Sequence, residues 1–267
     1  MDFKAFRFDK RYGQNFITDV NLLRAIAADA GVTADDLVIE VGAGAGTLTA
    51  ALCERAGSVV AYEIDRRLES AVAESTARFC NLEMHFTDFM KEKSLPAGKY
   101  KVVANLPYYI TTPVIFRFVE SGNPPESLTV MVQSEVADRI TAAPGAEAYG
   151  AITANLALRY SASVPRKVGR ELFFPRPNVD SAVVRLDRHF KYAEDIADKT
   201  VRVIKAAFSM RRKTLSNNLM SALSLTRAIA DGAITSCGLS PSVRGETLGA
   251  GDFVRLAEAL NLFDGSR

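Results

Sequence analysis

Asn105-Leu106-Pro107-Tyr108 is the stretch of this 267-residue chain whose residue types are best suited to chemistry. It ends an apolar run, Tyr100, Val102, Val103 and Ala104, that reads as a buried strand. Pro107 has a fixed φ and no N–H, so the backbone turns there and Leu106 is pushed to an extended conformation. The Leu106 carbonyl is then free of the sheet ladder. Asn105 sets an amide oxygen beside it, and Tyr108 adds a flat aromatic face. Two acceptors and a stacking surface are what holding a planar base by its exocyclic amine requires. A plain strand end with a turn uses the same four residues, so the stretch takes its meaning from what accompanies it.

Three other strand ends carry matching features. Residues 37–41 are a β-branched apolar run leading into Gly42-Ala43-Gly44-Ala45-Gly46-Thr47 and a helical run to Arg55. This is the first βα turn of a doubly wound sheet, where glycines let the backbone approach a ligand. Thr47 stands where the dinucleotide fingerprint has its third glycine, so a pyrophosphate is not expected. Glu40, just before the glycines, favours a cationic ligand instead. The second strand, 58–62, ends in Glu63, about twenty residues past the glycines and placed to accept both hydroxyls of a ribose. Its alternative is a solvated carboxylate leading into a helix over 66–78. A third strand over 81–86 is followed by Asp88, an acceptor for an adenine amino group, and by Phe89. The fourth strand delivers Asn105. In an open parallel sheet ligands bind along the C-terminal strand edge, and all four features fall on it.

Positioning these residues takes an α/β domain. A helix over 19–30, capped by Asp19 and stopped at Gly31, is preceded by Arg11-Tyr12-Gly13-Gln14-Asn15-Phe16-Ile17. That segment is either an arm packed on the domain or a flap over a ligand. Beyond Tyr108 the patterning predicts a helix over 112–118, a strand over 127–133, a turn-rich loop over 140–150, a helix over 151–160, and strands over 162–168 and 181–186. The loop between the last two strands is stiffened by Pro175 and Pro177. In it, either both Phe173 and Phe174 are core or one ring stacks on a base opposite Tyr108. After Arg188 every signal is helical, over 200–209, 225–234 and 252–262. The domains are therefore placed at 1–188 and 189–267. Arg202, Lys205, Arg211, Arg212 and Lys213 make a basic cluster in the second, either a solvated helix end or a phosphate-binding surface.

Composition narrows the classes. Hydrophobic residues make up 48%, enough for a full core, and no segment is apolar for long enough to span a membrane. Met1-Asp2-Phe3-Lys4 lacks a charged region followed by an apolar stretch, so no secretory signal is expected. Cys53, Cys80 and Cys237 are scattered and are expected as reduced core residues of a cytosolic protein. With His85 and His189 the only histidines, neither a His-based triad nor a metal site is expected. The net charge of +2 is a weak footprint for nucleic acid.

Six motifs occur in a telling order: Tyr12-Gly13-Gln14-Asn15-Phe16, Glu40 to Thr49, Tyr62-Glu63-Ile64-Asp65, Thr87-Asp88-Phe89, Asn105 to Tyr108, and Phe173 to Ser181. The series closely resembles the ribosomal RNA adenine N6-dimethyltransferases, nearest to their bacterial small-subunit branch. The resemblance covers nearly the whole chain, including Gln133 to Arg139 and Arg211-Arg212-Lys213-Thr214-Leu215. It implies a Rossmann-like class I methyltransferase domain, a small all-helical C-terminal domain contacting rRNA, and S-adenosylmethionine as cofactor. The implied activity is dimethylation of two adjacent adenosines in the 3′-terminal hairpin of small-subunit rRNA, by a cytoplasmic monomer acting on the immature subunit. Cofactor contacts carry over to Asn15, Ile17, Gly42, Glu63, Asp88 and Asn105. Target-base contacts carry over to Asn105, Leu106 and Tyr108, with Pro107 fixing the turn and Phe173 as second ring. Asn178 stands where a Lys is common, which bears on an RNA phosphate contact and not on the chemistry. Two alternatives stay open: a large-subunit methylase of the macrolide-resistance type, and a non-catalytic assembly or RNA-binding factor on the same fold. The intact glycines, Glu63, Asp88 and Asn105 weigh against the second.

Overall fold

The structure, a computed structural model, describes residues 15–17 and 19–260; arm residues 11–14 and the chain after 260 lie outside them. It divides into two compact units, Met1–Ala137 with Ser163–Arg188, and Asp138–Ala162 with His189–Arg267. Among the described residues no helix is long and apolar enough to cross a membrane.

The first unit is built on parallel strands β2 (Leu37–Val41), β3 (Ser58–Tyr62), β4 (Leu82–His85), β5 (Lys101–Asn105) and β6 (Ser127–Gln133). With β7 (Tyr160–Val168) and β9 (Ser181–Arg188) they make a seven-stranded sheet in the order β4-β3-β2-β5-β6-β9-β7, in which β9 runs antiparallel to β6. The order reverses between β2 and β5, so a crevice opens at their C-terminal ends. Helix α1 (Val20–Asp29) starts where Asp19 accepts the Asn21 and Leu22 N–H groups. Leu23, Ile26 and Ala27 of α1 and Leu48, Ala51 and Leu52 of α2 (Thr47–Cys53) pack on Val38, Val59 and Val103 of the sheet. Each such buried Leu or Ile contributes about 1.5–3 kcal/mol. A short antiparallel ribbon joins β1 (Phe16–Ile17) to β8 (Phe173–Phe174), with Phe16 opposite Phe174 and Ile17 opposite Phe173. The N-terminal arm is thus hydrogen-bonded to the proline loop.

In the second unit α6 (Ala151–Leu156), α7 (Glu194–Ala207), α8 (Leu215–Leu223), α9 (Arg227–Ser236) and α10 (Ala250–Ala259) surround Ile204, Leu219, Ile234, Phe253 and Leu256. A single cut at Arg188 puts 138–162 in the first domain, whereas its contacts put it here. Tyr149, Ala154 and Leu158 join this core, the Tyr149 hydroxyl donates to the Leu248 carbonyl at 2.7 Å, and Arg159 pairs with Glu194 and Asp198. The helix expected over 151–160 stops at Leu156, and Tyr160 already belongs to a strand. Helix α8 adds to the helices expected over 200–209, 225–234 and 252–262, and it starts where the Thr214 side chain accepts the Asn217 N–H. Asn218 is buried and caps the end of α7, donating to the Ala207 and Met210 carbonyls. Of the three cysteines expected in the core only Cys53 is buried, and Cys80 is exposed.

Candidate active site

A cleft lies at the crevice between β2 and β5. The strand-end residues Gly42, Glu63, Asp88 and Asn105 line it, together with Leu106, Pro107, Tyr108, Phe173, Asn15 and Ile17.

The glycine turn is held from two sides. The Gly42 and Ala43 N–H groups both donate to the Tyr62 carbonyl, at 2.8 and 3.0 Å, and Gly44 N–H donates to Glu63 Oε2 at 2.7 Å. With those donors engaged, the turn offers a poor cradle for a pyrophosphate, as its spacing predicts. Gly44 has φ +60, and a Cβ there would sit 2.9 Å from the Phe16 ring. A side chain at this position would strain the backbone and displace the arm.

Glu63 is 6% exposed, and its Oε1 accepts the Asp65 N–H at 2.8 Å. Both oxygens thus accept a backbone N–H and keep acceptor capacity toward the cleft. Burial pushes its carboxyl above the usual range against the pull of the Asp65, Gly44 and Ile64 N–H groups, and the Asp65 charge adds to the rise. Asp88 Oδ1 accepts the Met90 N–H at 3.0 Å, while Oδ2 lies 3.8 Å from Lys91 Nζ. Behind these acids sits an aromatic stack that sequence reasoning missed. Tyr62 lies flat on His85 at 5.1 Å and meets Phe89 edge-on, and both Tyr62 and Phe89 line the cleft.

At the end of β5, Asn105 Nδ2 donates to the Asn15 carbonyl at 3.4 Å. The amide nitrogen is committed to the arm, and Oδ1 remains as the acceptor. Helix α4 (Tyr108–Val119) begins directly after Pro107, earlier than the expected 112–118. Both Ile110 N–H and Thr111 Oγ1 donate to the Pro107 carbonyl, so the first-turn bonds described pass over Leu106. Tyr108 is half-buried, with its hydroxyl 2.7 Å from Ser181 Oγ. The two loop phenylalanines divide: Phe173 is buried and lines the cleft, whereas Phe174 turns outward at 41% exposed. Strand alternation in β8 sends neighbouring side chains to opposite faces.

Glu40 does not do what its place in the sequence suggests. It is fully buried beside the helix layer, does not line the cleft, and neither carboxylate oxygen has a hydrogen-bond partner. Burial pushes its carboxyl up to about 8; the nearby Thr49 hydroxyl opposes the rise and the Glu63 charge adds to it. A carboxyl that keeps its proton near neutrality offers no counter-charge to a cationic ligand. Between the ordinary 4.5 and about 8 the folded chain holds a proton that the unfolded chain has lost, so stability falls as pH rises through that window. Glu40→Gln should remove that dependence. Unfolding free energies from urea titration are expected to be similar to native at pH 4.5. At pH 9 the variant should be the more stable by a few kcal/mol, since each pH unit within the window removes about 1.4 kcal/mol from the native protein.

A parallel-centred sheet with a glycine turn, strand-end acids and this cleft make a Rossmann-like domain with a ligand site at its switch point. Two solved structures share nearly the whole length of the chain. A dimethyladenosine transferase from Plasmodium falciparum superposes with a TM-score of 0.78 at 25% identity, covering 90% of this chain and 95% of its own. The 23S rRNA methyltransferase ErmE gives 0.75 at 27% identity, with 92% and 99% covered. The chain belongs to the ribosomal RNA adenine dimethylase family, whose model matches residues 5–261. Ribosomal RNA small subunit methyltransferase A of Streptococcus pneumoniae strain R6 is 43% identical over 273 residues, spanning 96% of this chain and 93% of that relative.

Proposed function

We propose that this chain transfers methyl groups from S-adenosylmethionine to the N6 atoms of two adjacent adenosines in the 3′-terminal hairpin of small-subunit rRNA. It does so as a cytoplasmic monomer acting on the immature subunit. The observation that carries the reading is the orientation of Asn105: with Nδ2 committed to the arm, Oδ1 is left to accept from an amine in the cleft that Tyr108 and Phe173 also line.

Glu63 takes the cofactor ribose and Asp88 its adenine, with Asn15, Ile17 and Gly42 as further cofactor contacts and Asn105 near the methionine end. The bound cofactor supplies an electrophilic methyl on a sulfonium. In the first transfer Asn105 Oδ1 and the Leu106 carbonyl accept the two N–H bonds of the target amine; in the second the monomethylated nitrogen has one N–H left and uses one acceptor. Held so, the nitrogen is drawn toward tetrahedral geometry and its lone pair is aimed along the line of transfer. The N–H becomes strongly acidic once the nitrogen carries the new methyl, so no tuned base is needed. Catalysis is positioning by oriented dipoles. The exposed Arg202, Lys205, Arg211, Arg212 and Lys213, none paired with a carboxylate among the described residues, suit an RNA backbone.

Identity of 43% to a small-subunit enzyme against 27% to ErmE favours the small-subunit substrate over the large. The test is transfer of tritiated methyl to small and large subunits purified from a strain lacking these modifications. Label recovered as dimethyladenosine from small-subunit RNA is expected. Label in the large subunit, or none, overturns the assignment.

A further inference from the structure

We propose that Ser181 is a positioning residue for the target base, acting through the Tyr108 hydroxyl; this rests on the reading that Tyr108 grips that base. Stacking needs only the ring, and a phenylalanine would stack as well. The hydroxyl therefore has another purpose. It lies 2.7 Å from Ser181 Oγ, 73 residues away in sequence, and Ser181 is fully buried. Without Tyr108 that serine would leave a hydroxyl unsatisfied in the interior.

The serine is itself firmly held. It opens β9 opposite Gln133, while the preceding carbonyl, that of Asp180, accepts the Ser134 N–H at 3.0 Å. The Asp180 carboxylate accepts the Arg170 N–H at 3.1 Å, and the Arg170 guanidinium donates to the Asn178 carbonyl at 2.9 Å. Both ends of the loop that carries Phe173 thus converge on the residue beside Ser181. Tyr108 is anchored by its backbone in the first turn of α4 and by its hydroxyl at the far end of the ring. A ring fixed at one end swings about its first side-chain torsion, whereas a ring held at both ends has its long axis fixed, and the in-plane preference of a phenol hydrogen bond restrains its plane as well. That plane sets the orientation of a base stacked on it, and with it the approach of the amine to Asn105. Small errors in such placement are costly to rate.

A double-mutant cycle tests this on the full chain with small-subunit RNA as substrate. Ser181→Ala and Tyr108→Phe should each lower kcat/KM by about five- to thirtyfold. The loss should fall on kcat at saturating RNA, and the double variant should be no worse than the poorer single one. Cofactor affinity should stay within about twofold of native. Ser181→Thr, which keeps the hydroxyl, should recover most of the rate. Native activity in Ser181→Ala, losses that multiply in the double variant, or a parallel loss of cofactor affinity would each overturn the proposal. If Ser181→Ala does not fold, Tyr108→Phe removes the same bond from the cleft side, and native activity there overturns it equally. Full activity in Tyr108→Ala would instead sink the base-gripping reading itself, and this proposal with it.

Discussion

Asn105→Ala is expected to lower the rate of methyl transfer by about a hundred- to a thousandfold while RNA binding persists, the range seen when one oriented dipole is removed from a reacting centre. On the proposed reading the side chain meets the reacting amine at a single atom, and most RNA affinity would come from phosphate contacts elsewhere. Single-turnover transfer with saturating cofactor, alongside filter binding of RNA, separates the two. Asn105→Asp sharpens the prediction. It keeps an acceptor in the cleft but replaces Nδ2, which donates to the Asn15 carbonyl at 3.4 Å, with an oxygen. Two acceptors would then face each other, and the carboxylate would have to turn away or take up a proton. Asp is therefore expected to be nearly as poor as Ala. A native rate in either variant would remove Asn105 from the chemistry.

The strand-end series was legible because buried parallel strands are continuous β-branched runs, and a polar residue that ends such a run stands out. Glu63 and Asn105 stand out in this way, Gly42 by the alternating glycines it opens and Asp88 by its place just after β4, and the cleft brings all four together. Features made by two distant segments were not legible. Neither Phe16-Ile17 nor Phe173-Phe174 is a strand by its own pattern, because a two-residue ribbon exists only through its partner. The Tyr108–Ser181 bond has the same character. The early start of α4 was hidden by Tyr108-Tyr109-Ile110-Thr111-Thr112-Pro113, a run of aromatic and β-branched residues with a proline inside the helix. Glu40 misled for a geometric reason. Position along a strand says how near a residue is to the ligand edge, but which face its side chain takes depends on the layer packed above it. Asp138–Ala162 misled likewise, since nothing in its composition says which core Tyr149 and Leu158 will enter.

On the proposed reading Glu63 joins the glycine turn to the cofactor ribose, and its replacement is the second large effect expected. In Glu63→Ala the Gly44 and Asp65 N–H groups, bonded at 2.7 and 2.8 Å, lose their acceptor, and the ribose hydroxyls lose theirs. Charge-assisted bonds of this kind contribute about 1.5–3 kcal/mol each, so cofactor affinity should fall about a hundredfold or more. Glu63→Gln is not a conservative change here. Whichever way the amide turns, its NH2 faces one of the two backbone donors, so Gln should recover little of the loss. The native protein should show the same dependence through pH. Ionised Glu63 is the better acceptor, and burial raises its carboxyl above the usual range, so cofactor binding should weaken on acidification at a higher pH than an exposed glutamate would allow. Calorimetric titration of native, Ala and Gln proteins with S-adenosylmethionine from pH 5 to 8 reads both effects. A pH-independent native affinity, or a Gln variant that binds like native, would show that Glu63 shapes the glycine turn without holding the ribose.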